Sequence, residues 1–167
     1  MAKLARNMYM NFASFDGTAW EALGKDNDDM SKDLNPDTET SKNVLGETSF
    51  KHSGNEAQLD TDPYYVDDTS TLFEKLSAAA LTEGYADKDI KGYFAEVLFP
   101  STGIDEAAGT MTGTGYKREA YIVPQSIGGD TSGVSIPFEV HPIGPQTKVT
   151  VVYTIATRGV AITDTKE

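Results

Sequence analysis

The sequence predicts a mainly β chain, sandwich- or barrel-like, with one flanking α-helix, in a single domain spanning residues 1–167. Three observations carry this. Apolar residues recur at every second position in several short runs, the period of a strand. One stretch alone shows apolar spacing of helical period. Turn-forming Gly, Asn, Asp and Pro punctuate the rest.

Leu4, Met8, Met10 and Phe12 alternate with Asn7, Tyr9 and Asn11, which predicts a half-buried strand. Phe15-Asp16-Gly17 is a turn, and Thr18 to Leu23 reads as a second strand that pairs with the first and carries Trp20. Residues 25–68 form a long acidic loop or arm; between Lys25 and Ser41 its only large apolar residues are Met30 and Leu34. Within it, Glu47 to His52 reads as a strand, Ser53-Gly54-Asn55 as a turn, and Glu56 to Asp60 as a return.

The helix follows. Asp67, Asp68, Thr69, Ser70 and Thr71 offer N-caps, Thr71 and Glu74 have capping-box spacing, and Gly84 is a natural stop. Leu72, Phe73, Leu76, Ala79, Ala80 and Leu81 lie along the apolar stripe. Gly92 to Phe99 is a strand apolar on both faces, and 101–115, rich in Gly and Thr, reads as a loop or loose hairpin. Arg118 to Val123 is a strand, Ser126 to Gly133 a connector, and Val134, Ile136, Phe138 and Val140 alternate cleanly. Lys148 to Thr157 sets Val149, Val151, Tyr153 and Ile155 on one face. The predicted core includes Leu72, Leu76, Ile136, Phe138, Val149 and Val151. Pro124 and Pro137 fall inside strand patterns and belong at edges or bulges. Open edges must be covered, charged or paired, and pairing with another subunit is one solution.

The charge narrows the function classes. The chain carries 26 acids against 14 Lys and Arg, a net of −12, and residues 16–68 alone hold 14 acids against 4 bases. This opposes tight binding to nucleic acid and docking on an anionic membrane. There are no cysteines, which excludes disulfides, thiolate catalysis and cysteine-ligated metals. No stretch approaches the roughly 20 apolar residues of a membrane span. Met1 to Phe12 lacks the apolar centre of a signal peptide, so cytoplasmic synthesis is expected and no membrane anchor.

Catalytic and metal signatures are not found. His52 and His141 each sit alone in a strand pattern. No G-x-S-x-G elbow supports a serine triad. Asp26-Asn27-Asp28 begins like a calcium loop, but Ser31 and Asp37 stand where it needs glycine and glutamate. Gly113-Thr114-Gly115 and Gly128-Gly129 lack a third glycine and a following helix. The expectation is no enzyme, no metal and no cofactor. An acid-based hydrolase has the least support, and the alternative to a structural protein is a carbohydrate-binding or capsid-decorating β-sandwich using Trp20, Tyr64 and Tyr65 as its platform.

Three stretches taken together carry a resemblance: Glu39-Thr40-Ser41-Lys42-Asn43-Val44-Leu45-Gly46-Glu47-Thr48, Asp62-Pro63-Tyr64-Tyr65-Val66-Asp67, and Gly128 to Phe138, read as Gly-Gly-Asp-Thr-Ser-Gly-Val-Ser-Ile-Pro-Phe. In this order, over roughly residues 5–146, the chain resembles the major tail tube proteins of long-tailed phages of Gram-positive hosts. The resemblance implies the phage tail tube fold, hexameric rings stacked into a hollow tube, and inner strands paired between neighbours. It places the chain in a virion, made in the host bacterial cytoplasm, with a tape measure protein and tail terminator or distal tail proteins as further partners. Double-stranded DNA passes through such a lumen without specific binding. It implies an inter-ring contact arm at Thr40, Lys42, Asn43, Val44, Leu45, Phe50, Tyr64 and Tyr65. Contractile tails, phage-like bacteriocins and secretion systems share the plan.

Overall fold

The computed structural model describes residues 4–165 apart from 28, 68 and 84. Met1, Asp28, Asp68 and Gly84, named above, therefore lie outside the described residues. In chain order the elements are β1 (Tyr9–Ser14), β2 (Glu21–Ala22), β3 (Lys32–Asp33), β4 (Pro36–Lys42), β5 (Thr48–Asn55) and β6 (Gln58–Thr61). Then come α1 (Phe73–Thr82), α2 (Asp87–Ile90), β7 (Lys91–Leu98), β8 (Ile104–Asp105), β9 (Thr110–Pro124), β10 (Gly128–Asp130), β11 (Gly133–Ser135), β12 (Phe138–Thr154) and β13 (Gly159–Asp164).

Nine of these strands form one curled, half-barrel sheet, in the order β2-β1-β7-β9-β12-β6-β3, with β13 added beside β12 and β8 beside β9. The pairings are antiparallel throughout. Two separate hairpins, β4–β5 and β10–β11, stand off it. The architecture is mainly β with one main helix, as the alternation requires.

The sheet carries two cores, one on each face and at different places along it. Along the β9–β12 ribbon, Ala120, Ile122, Phe138 and Val140 pack with Leu72 and Leu76 at α1, and with Tyr64 and Phe94. Further along the same ribbon Met111, Val149 and Val151 turn the opposite face inward, against Phe12, Val97 and Phe99. Successive side chains of a strand point to opposite faces. Adjacent residues in β1 and β7 accordingly divide between the two cores: Phe12 from Ala13, and Phe94 from Ala95. Each large aliphatic or aromatic side chain buried this way contributes about 1.5–3 kcal/mol. Leu72, Leu76, Ile136, Phe138, Val149 and Val151 are all buried.

Several expected boundaries are corrected. The first strand starts only at Tyr9, after a 3-10 turn at Arg6–Met8. The predicted turn at Ser53-Gly54-Asn55 is strand: β5 runs through it and pairs with β4, and the chain reverses earlier, at Asn43–Glu47. Residues 56–60 do not return along β5; β6 joins the main sheet beside β12 and β3. Within 101–115, expected as a loop or a loose hairpin, β8 pairs with Thr110 and Met111 as a short hairpin, and 110–115 are not loop but the opening of the long strand β9. A Cβ on Gly115 would lie 2.0 Å from the Glu96 carbonyl oxygen, so only glycine allows β7 and β9 this close. The two runs around Phe138 and Val151 are one strand, β12, with a register shift between Ile143 and Thr147 that absorbs Gly144 and Pro145, while Pro142 stays paired opposite Ala120. β13 follows, beyond an Arg158 at φ +56°.

At the helix, the Thr71–Glu74 capping box does not form. Leu72 occupies the N-cap and makes no side-chain cap bond. The entry is instead organised by Asp67 and Ser70: Ser70 N–H donates to the Asp67 carbonyl at 2.9 Å, and Thr69 N–H to the Asp67 carboxylate at 2.9 Å. Leu81, placed on the stripe, is exposed.

Candidate functional site

The segment 25–68 is not one arm. It crosses the core twice and leaves it once. Met30, Leu59 and Tyr64 all belong to the core beneath α1. Lys32 pairs with Glu96, which also accepts from the Tyr9 hydroxyl at 2.7 Å. Burial, with Glu96 next, holds the Tyr9 phenol well above its usual range. Only the part between Asn35 and Glu56 projects. Its base is pinched by Glu56 N–H donating to the Asn35 carbonyl at 3.4 Å and by Asn35 Nδ2 donating to the Glu56 carbonyl at 3.1 Å.

This projecting hairpin has no core of its own. Every residue of β4 and all but Gly54 of β5 are exposed. Thr40, Lys42, Asn43, Val44, Leu45 and Phe50 all lie on it. Val44 is 103% exposed, Leu45 79% and Phe50 68%. An isolated two-stranded hairpin is marginal in water, so its order depends on local bonds or on what it meets. The local bonds are dense. The Asn43 side-chain oxygen accepts from the N–H groups of Leu45 and Glu47, each at 3.0 Å. Asn43 Nδ2 donates to the Glu47 carboxylate at 2.6 Å, and Gly46 takes φ +81° to close the turn. Ser41 and Ser49 meet across the strands at 2.6 Å. The tip is thus a shaped, apolar-headed projection. Of the 14 acids in 16–68 only Asp37, Glu39 and Glu47 are on it, so the acidity sits at its base and in the body.

Tyr64 and Tyr65 are not on the projection. Tyr64 is 3% exposed and meets Phe138 edge to face, at 5.0 Å between ring centres. Its hydroxyl donates to Glu21 at 2.8 Å, and Ser70 Oγ donates to the same carboxylate at 2.7 Å. Burial, then the Glu21 charge, pushes the Tyr64 phenol far up. It is a core residue with a satisfied polar tip, neither an arm residue nor part of a sugar platform. The Tyr65 hydroxyl donates to Asp130 at 2.9 Å, tying this segment to β10–β11. Trp20 is half-buried against the second core.

A second open feature is β13. It pairs with β12 on one side, and no strand pairs with its other side among the described residues. Its unpaired N–H and C=O row is a template for another chain. Across the second core it approaches β2, whose Ala22 packs there with Val160 and Ile162, but no ladder joins the two.

The histidines lie on different sheets. His52 Nε2 is 3.0 Å from Asn55 Oδ1, and His141 Nε2 is 3.0 Å from Glu139 Oε2. No group of three or more potential metal ligands gathers among the described residues. No helix among them is long and apolar enough to cross a membrane. Neither a protein-family model nor a curated protein matches the chain.

Proposed function

We propose that this chain is a structural subunit that assembles with its own copies into stacked hexameric rings, forming the hollow tube of a phage-type tail through which DNA passes to the host. The observation that carries the reading is the β4–β5 hairpin, preorganised at its tip, apolar at its head and covered by nothing among the described residues. A rigid projection of this kind gains free energy only when a neighbour covers it. The unpaired edge of β13 offers a second, independent join, by which the sheet of one subunit continues into the next. The charge is compatible with a conduit for DNA: six copies of a −12 chain give a ring of −72, which repels phosphate. Residence in a virion and contact with tape measure, terminator and distal tail proteins follow from the same proposal.

The test is excision of the hairpin. Its base residues Asn35 and Glu56 already touch, so a short glycine link between them removes 36–55 without disturbing β6. A wider deletion over about 40–60 would take Leu59 out of the core and is not equivalent. The 36–55 variant is expected to unfold as cooperatively as the parent and to form no rings or tubes by electron microscopy. Normal tubes from that variant would remove the basis of the proposal.

A further inference from the structure

A cavity of about 310 Å³ opens beside β1, between the turn at Arg6–Met8 and the loop after β2. Arg6, Asn7, Asn11, Leu23 and Met30 are among the residues that line it. Asn11 is fully buried, and neither its amide nitrogen nor its amide oxygen has a partner among the described residues. Strand alternation puts Asn11 on the face of Tyr9 and Ala13. That is the face covered by Leu23 and Met30, which share a core with Ala13. A buried amide with both ends unpaired is rare, and what completes it calls for an explanation. Arg6 stands at the same cavity. Its guanidinium donates to two neutral carbonyls, those of Tyr9 at 2.8 Å and Met30 at 2.6 Å, and pairs with no carboxylate among the described residues. The site therefore offers an apolar floor, one amide donor and acceptor, and one cation.

We infer that this cavity receives the hairpin tip of a second copy, an inference that rests on the assembly reading above and names its receptor. The tip carries the complement of each feature. Val44 and Leu45 are its exposed apolar head, suited to Leu23 and Met30. The Val44 N–H and the Val44 and Leu45 carbonyls take no part in the bonds that close the turn. A primary amide presents a donor and an acceptor side by side, which is the pattern a peptide group requires. The Glu47 carboxylate flanks the head and supplies the anion that Arg6 lacks. Because Asn43 already fixes the tip, little ordering remains to be done on docking.

The chain has no cysteine, so a pair can be placed at will. Asn7→Cys with Leu45→Cys, oxidised after concentrated protein has assembled, is expected to give a ladder of covalent multimers on a non-reducing gel. Leu45→Cys with Thr112→Cys, on the solvent face of β9, is expected to give none. Tubes that form without the first ladder overturn the cavity and leave the assembly standing; no assembly at any concentration overturns both. Asn11→Leu supplies a second readout. It removes the unpaired amide, so the monomer's thermal midpoint should rise while the concentration needed for assembly increases at least tenfold. Unchanged assembly by Asn11→Leu would mean that the cavity holds only solvent, and would overturn the inference.

Discussion

Replacing Val44 and Leu45 together by serine should separate folding from assembly. In the lone subunit both side chains are in water, Val44 fully and Leu45 at 79%. The turn beneath them is held by Asn43 and backbone groups that the change does not touch. Exposed substitutions of this kind alter stability by no more than about 0.5 kcal/mol. In the proposed assembly the same two side chains would be covered, each worth about 1.5–3 kcal/mol when fully buried. The pair thus removes about 3–6 kcal/mol per docked tip. At about 1.4 kcal/mol per factor of ten, the concentration at which rings appear rises at least a hundredfold. Sedimentation velocity over a concentration series reads that threshold, and urea unfolding of the dilute protein reads the subunit. Assembly within twofold of the parent's threshold would refute the reasoning, and so would a lowered unfolding midpoint.

Three further outcomes are expected. Phe138→Asp or Val151→Asp puts an unpaired charge where exposure is 1% or less, at a cost of several kcal/mol, and circular dichroism should show no cooperative unfolding. Tyr64→Phe leaves the Glu21 carboxylate without one donor and should lower the unfolding free energy by about 1–3 kcal/mol, read as a lower urea midpoint at unchanged slope; an unchanged midpoint would contradict this role for Tyr64. In alkali, Tyr64 and Tyr9 keep their protons in the folded state while the unfolded chain loses them near pH ~10. Folded-state values raised in this way give stability that is whole below that pH and is lost as pH rises above it. Tyr64→Phe should flatten the loss, which pH-dependent unfolding measures.

What could be read from the chain depended on which groups face a core. Leu72 and Leu76, Phe138, and Val149 with Val151 were legible because a single buried face imposes a period on the residues that fill it. β4 was not, because neither of its faces is buried and Thr-Glu-Thr-Ser has no apolar rhythm to impose. The first half of β9 hid behind glycines that the close β7 backbone demands, and the continuity of β12 behind Pro142, Gly144 and Pro145. Tyr64 and Tyr65 are adjacent in sequence, yet one enters the core and the other reaches Asp130, a division set by partners about 60 or more residues away. The exposed tip at Val44 and Leu45 was within reach of the sequence. The unpaired amide of Asn11 was not, since only the folded loop after β2 encloses it.

In the proposed assembly this subunit would finish its own surface by joining copies of itself. Electron microscopy of the purified protein at increasing concentration tests it most directly. Six-fold rings that lengthen into hollow tubes are the expected result. Uniform monomers at the highest attainable concentration would contradict it.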